Sequence, residues 1–163
     1  MSKRSSRSEE AAAMAGIIAE LLDVSRALVG IAVYSVNAVP VEITVTQYRT
    51  LAVVASAGPR TIGEVAALLG VAQSNASRHC DRLERLELLR RTRSDEDGRV
   101  VLVDLTDSGR EVVDLVTAVR EREIGKVVEQ MSAPDAQAAV AAIRAFNSAA
   151  AGLDAHPWLT AAW

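Results

Sequence analysis

Apolar positions along the chain recur mostly at helical spacing, and one short stretch departs from it. From Glu9 to Ala38 there is no proline, and Ile17, Leu21, Val24, Leu28 and Ile31 follow one another every three or four positions. Ile18, Leu22, Ser25 and Val29 lie beside them, so the spacing predicts one long helix with a wide apolar stripe. Pro40 ends it, because proline cannot continue the hydrogen-bond ladder. Thr44-Val45-Thr46-Gln47 is a capping box that opens a second helix to about Ala57, closed by Gly58-Pro59. A second box, Thr61-Ile62-Gly63-Glu64, opens a short helix carrying Val65, Ala66, Leu68 and Leu69, with Gly70 placed to close it. Only Val71 and Ala72 separate it from the next helix, which runs through Leu83 and Leu86 to about Leu88. Two short helices joined by a tight glycine turn predict a helix-turn-helix.

The period then changes. Leu89–Arg93 and Val100–Leu105 are β-prone runs on either side of Ser94-Asp95-Glu96-Asp97-Gly98, which reads as a hairpin. Thr106 caps a further long helix to about Met131. Ser132 with Pro134 opens a last one to about Leu153, in which nine of the 16 residues from Ala136 to Ala151 are alanine. The order predicts a mainly α protein with a small β-hairpin wing: a winged helix-turn-helix flanked by long helices at both ends.

Composition narrows the class. Of 163 residues half are apolar and 24% charged, which excludes a disordered chain, and with 3% aromatics the core must be aliphatic. The longest uncharged stretch, Ala27 to Val41, is 15 residues and contains Pro40, too short and interrupted for a bilayer span. The basic, polar opening MSKRSSRS has no apolar run behind it, so residues 1–8 read as a disordered basic arm rather than a secretory signal. A soluble cytoplasmic protein is expected, with no membrane partner.

The net charge of −3 hides an asymmetry. From Gln73 to Arg93 six arginines (78, 82, 85, 90, 91 and 93) stand against three acids (81, 84 and 87), a local +3 that leaves −6 on the rest. A basic segment on an acidic body points to a localised anion-binding surface. A solvated helix with its own ion pairs explains the charge equally well. The residue types in the second helix of the turn motif decide between them. Gln73, Ser74, Asn75 and Ser77 are short hydrogen-bonding groups in its first turns, and Arg78, Arg82 and Arg85 follow. Ala76, Cys80 and Leu83 would face inward. A helix entering the major groove needs small polar residues for base edges and arginines for the backbone. Arg91, Arg93 and Arg99 flank the hairpin tip. There Asp97 is spaced to hold the Arg99 guanidinium in a fixed direction toward a narrow minor groove, although taken alone these residues fit an ordinary charged surface turn better. The partner expected is double-stranded DNA.

Asp97-Gly98-Arg99 followed by Leu105-Thr106 and Gly109 resembles the wing-and-helix signature of the MarR (multiple antibiotic resistance regulator) family. Thr44-x-x-Gln47, Glu64-Val65-Ala66, Leu69-Gly70-Val71, Ser74 and Asp81-Arg82-Leu83-Glu84 are similar to that family in order and spacing, over roughly Ile43 to Gly109. The resemblance implies a homodimeric transcription factor, usually a repressor, that reads a near-palindromic operator. It puts Ser74, Asn75, Ser77, Arg78 and Arg82 on groove-facing positions and Asp97 and Arg99 on the wing pair. The implied layout is a dimerisation helix over 9–40, a DNA-binding domain over 44–109 and C-terminal dimerisation helices over 107–163. Two positions depart from the pattern: Ala72 stands where a serine often caps the recognition helix, and Glu87 where a glycine commonly closes it.

The resemblance also implies release of DNA by a small aromatic or amphiphilic inducer held between the dimer helices and the DNA-binding lobe. Tyr34, Asn37, Tyr48 and Arg49 are the candidates for that crevice, although Tyr48 also fits a core position. No cofactor or metal is expected: the histidines, His79 and His156, are 77 positions apart and one cysteine cannot build a zinc site. Cys80 reads as buried and inert, though its oxidation would disturb the recognition helix. With no glycine-rich phosphate loop, metal-spaced cluster or nucleophile elbow, an enzyme is not expected. The alternatives are a helical-dimer protein-interaction module, or a nonspecific architectural DNA binder on the same fold.

Overall fold

In a computed structural model, residues 2–94 and 98–152 are described, the side chains of residues 2–6 excepted. The element order is α1 (Ser2–Asn37), α2 (Val45–Ala57), α3 (Ile62–Leu69), α4 (Gln73–Arg85), β1 (Leu89–Arg93), β2 (Val101–Leu105), α5 (Asp107–Val128) and α6 (Ala133–Ala151). This is the winged helix-turn-helix between long helices that the pattern predicts. The disordered arm expected over residues 1–8 is corrected: α1 already runs from Ser2. No proline or glycine precedes Gly16. A helix nucleated downstream therefore propagates toward the N-terminus at one hydrogen bond per residue.

Caps set the other boundaries. Thr44 and Gln47 form a complete capping box on α2, as do Thr61 and Glu64 on α3. The Thr61 backbone and hydroxyl both donate to the Glu64 carboxylate at 2.8 Å, which holds that carboxyl below its usual range. Gly70 closes α3 in the left-handed conformation at φ 65°, turning the chain within two residues into α4. Ala72 has the extended N-cap backbone but no side-chain bond to α4. Ala72→Ser should supply that bond and raise stability by about 1 kcal/mol, read as a higher denaturation midpoint at unchanged slope. An unchanged midpoint would contradict the capping argument. Glu87, the other departure, takes φ 59° as a non-glycine residue.

The core is aliphatic, built from Leu51, Val53, Val54, Val65, Leu69, Leu83, Leu105 and Val116, with Tyr48 the one buried aromatic among the described residues. Strands β1 and β2 pair antiparallel from Leu89 opposite Leu105 to Arg93 opposite Val101. Arg60 adds an isolated bridge to Val103 that pins the wing to the α2–α3 connection. Much of α1, α5 and α6 stays outside this core. Residues 7–30 of α1 are exposed throughout, and α6 buries no residue within the chain.

Candidate nucleic-acid interface

Helix α4 has two unlike faces. Ala76, Cys80 and Leu83 are buried, as their spacing predicts, and they seat the helix on the core. Gln73, Ser74 and Arg78 are exposed, while Asn75, Ser77 and Arg82 are part-exposed. Asn75 accepts a hydrogen bond from Arg78, so two of the expected contacts are oriented together. Arg85 instead folds back, its Nε donating to the Asp81 carbonyl at 3.2 Å. No side chain caps the N-terminus of α4, and its first turn holds no acidic residue. Both features favour an approaching phosphate.

The wing is held beside this helix by charge. Arg90 pairs with its cross-strand partner Asp104 at 2.6 Å. Arg91, expected to meet DNA, reaches across to α4 instead, donating to Asp81 at 2.5 Å and Glu84 at 2.7 Å. As placed here it is an internal brace. Arg93 and Arg99 are exposed on either side of the hairpin tip. Asp97, the other half of the expected wing pair, lies outside the described residues, as do Asp95 and Glu96.

Three comparisons bear on this geometry. A family model described as the MarR family matches residues 42–100. The structure of Rv1404 from Mycobacterium tuberculosis is 40% identical, with a TM-score of 0.76 over 82% of this chain and 91% of that one. The chain belongs to the MarR family. A MarR family protein from Bacillus stearothermophilus shares the fold at 22% identity, with a TM-score of 0.74 over 85% of this chain and 95% of that one. Streptococcus pneumoniae FabT, solved in complex with DNA, does so at 21% identity, with a TM-score of 0.72 over 86% of this chain and 99% of that one. None of the curated proteins compared with the chain matches it.

The four residues expected to line an inducer crevice in this MarR-family chain are not brought together. Tyr34 is 54% exposed on a groove of about 560 Å³ between α1 and α5, facing Glu123, Lys126 and Gln130. Asn37 lines a different groove, of about 690 Å³, formed by the α1–α2 connection with Gln47 and Arg82. Tyr48 is 4% exposed and fills the core, with the Arg120 guanidinium over its ring at 5.4 Å. Arg49 lines neither groove. In the apolar lining of the second groove Val36 lies in the last turn of α1, and Val39, Val41 and Ile43 carry no signal in the sequence because they belong to a proline-broken connection rather than to a periodic element. Asp81 and Glu84 were also missed as wing partners. Their i,i+3 spacing puts them on neighbouring helix positions, but only the fold brings Arg91 opposite.

Cys80 is buried, and desolvation pushes its thiol up to about 11. The folded chain then holds the thiol proton more tightly than the unfolded chain. The resulting stability is complete below the ordinary thiol range and is lost as pH rises from about 9 to 11. Native protein at pH 8 should resist a thiol reagent that labels the denatured chain at once. Cys80→Ala should flatten the alkaline decline in stability. Fast labelling of the native protein would contradict the burial argument.

Proposed function

We propose that the chain acts as a homodimeric, sequence-specific DNA-binding regulator, repressing by occupying a near-palindromic operator. The observation that carries this reading is the outward face of α4. Ser74, Arg78 and Arg82 stand opposite the buried Ala76, Cys80 and Leu83, with Gln73, Asn75 and Ser77 solvent-accessible at the flanks, beside a wing that exposes Arg93 and Arg99. A helix so equipped fits the major groove, and the wing the neighbouring minor groove. FabT, with the same fold, was solved on DNA, which supports the reading.

Dimerisation has its own support in the apolar faces that the single chain leaves open on α1, α5 and α6. Two-fold symmetry would set the half-sites about one helical turn, roughly 10 bp, or a multiple apart. The groove at the α1–α2 connection suits a small amphiphile, with valines for its apolar part and Arg82 beside Glu42 for a polar head that carries a negative group. A ligand drawing Arg82 inward would withdraw it from DNA and relieve repression. Titration with salicylate-like compounds that gives neither heat nor loss of DNA binding would remove this part of the reading. Acting on DNA, the protein would work in the cytoplasm; no described helix is long and apolar enough to cross a membrane.

Alanine substitutions test the interface. Arg78→Ala should weaken binding by about 1–3 kcal/mol and relax the preference at one base pair if the contact is to a base edge. Arg82→Ala, if its contact is to a phosphate, should weaken all sequences alike and lower the salt slope by about one. Unchanged affinity and specificity in both variants would overturn the assignment of α4 as the reading helix.

A further inference from the structure

The reading helix carries two carboxylates where DNA phosphates would approach. Asp81 follows Ser74 by seven positions and Glu84 follows Ser77 by seven, so each shares a helix face with a residue assigned to DNA. Left alone, both would repel the phosphate backbone. They are not alone. Arg91 Nη2 lies 2.5 Å from Asp81 and Arg91 Nη1 lies 2.7 Å from Glu84, one guanidinium spanning two carboxylates a helical turn apart. The fork geometry suits arginine and no other residue.

Arg91 stands on β1 two residues after buried Leu89, at the root of the wing rather than at its tip. The cluster closes over the buried Cys80, whose thiol feels all three charges. The hydrogen bond that Arg91 donates to Asp81 in turn raises the Arg91 pKa further above the physiological range, so the brace stays charged.

We propose that Arg91 is a positioning residue for DNA binding: it cancels Asp81 and Glu84 on the reading helix and fixes the wing root at a set distance from that helix. It acts through the two acids and makes no phosphate contact of its own. This inference rests on the DNA-binding reading and deepens it.

The test is a double-mutant cycle on the full-length chain, with a duplex that the wild-type protein enriches from a random library as the probe. Arg91→Ala should lower affinity about tenfold or more, since it strands like charges near phosphates. Asp81→Asn with Glu84→Gln should change affinity by no more than about twofold while Arg91 is present, the scatter of independent sites. In the Arg91→Ala background the same pair should restore most of the lost affinity. Arg91→Gln, which keeps the length of the stem, replaces the alanine variant in the cycle if that one unfolds.

If Arg91 instead touched a phosphate, removing the acids would raise affinity by the same factor in both backgrounds, and the salt slope lost with Arg91 would not return. That additive outcome overturns the proposal, as does full affinity in Arg91→Ala. A wild-type chain that enriches no duplex overturns the DNA-binding reading itself, and this is seen before any variant is compared.

Discussion

Replacing Gly109 with alanine is expected to destabilise the chain by at least about 3 kcal/mol, at the upper end of what overpacking costs. Gly109 lies in the first turn of α5, where that helix presses on the end of the recognition helix. A Cβ there would meet the Leu88 carbonyl oxygen at 2.0 Å and the Leu105 side chain at 3.0 Å. The first obstacle is backbone, and it is doubly tied. Leu88 O accepts from Thr106 N at 3.2 Å, and Thr106 Oγ1 donates to Glu87 O at 2.6 Å. The same hydroxyl caps α5 by accepting from Gly109 N at 3.0 Å. To admit a methyl group, α5 must back away from the α4–β1 turn, and this clasp breaks. For a chain of this size the expected loss is a fall in melting temperature of about 6–12 °C. Thermal unfolding followed by circular dichroism measures it; a shift under 2 °C, read against about 2–4 °C per kcal/mol, would show that the approach is not tight. DNA affinity should fall as well, because the clasp orients α4.

The second large effect concerns the apolar faces left open by a single chain. Ile17 is 56% exposed, Leu21 39%, Leu28 48%, Ile143 58% and Phe146 51%, and the first three lie on one stripe of α1. The stripe belongs to a helix about 54 Å long at 1.5 Å per residue. Exposed apolar area of this extent marks an interface. Two-fold pairing would bring two copies of the stripe together, so Leu21→Asp with Leu28→Asp alters four sites per dimer. At about 1.5–3 kcal/mol for each buried leucine, the expected penalty is about 6–12 kcal/mol, enough to part the protomers at micromolar concentration. Sedimentation equilibrium should show a dimer for the wild-type chain and a monomer or unfolded chain for the variant. A variant that stays dimeric would place the interface elsewhere.

These two sites show what the sequence does and does not disclose. Caps are local chemistry, so Thr44 with Gln47 and Thr61 with Glu64 mark the starts of α2 and α3 without reference to the fold. The weak points were equally visible. Ala72 provides no cap, and Glu87 occupies a left-handed position that glycine would take without strain. The inward set Ala76, Cys80 and Leu83 follows from helical spacing alone.

Long-range pairings were not legible. Arg91, Arg93 and Arg99 look alike in the sequence, yet the register of the hairpin turns Arg91 alone among them onto Asp81 and Glu84 of α4. The family resemblance groups Tyr34, Asn37, Tyr48 and Arg49 at one crevice. The turn between α1 and α2 sends Tyr34 and Asn37 to different grooves and Tyr48 to the core, while Arg49 lines neither groove. The start of α1 was missed for another reason. A serine- and arginine-rich opening has no apolar period, but it also has no residue that stops a helix already formed.

The central claim is that two copies of this chain read one DNA site through α4. The measurement that bears on it most directly is fluorescence anisotropy with a duplex enriched from a random library, at physiological salt and with excess random DNA. The account predicts saturation at two protomers per duplex, a near-palindromic consensus and binding that survives the competitor. Binding that disappears with competitor, or a library from which no sequence is enriched, would contradict it.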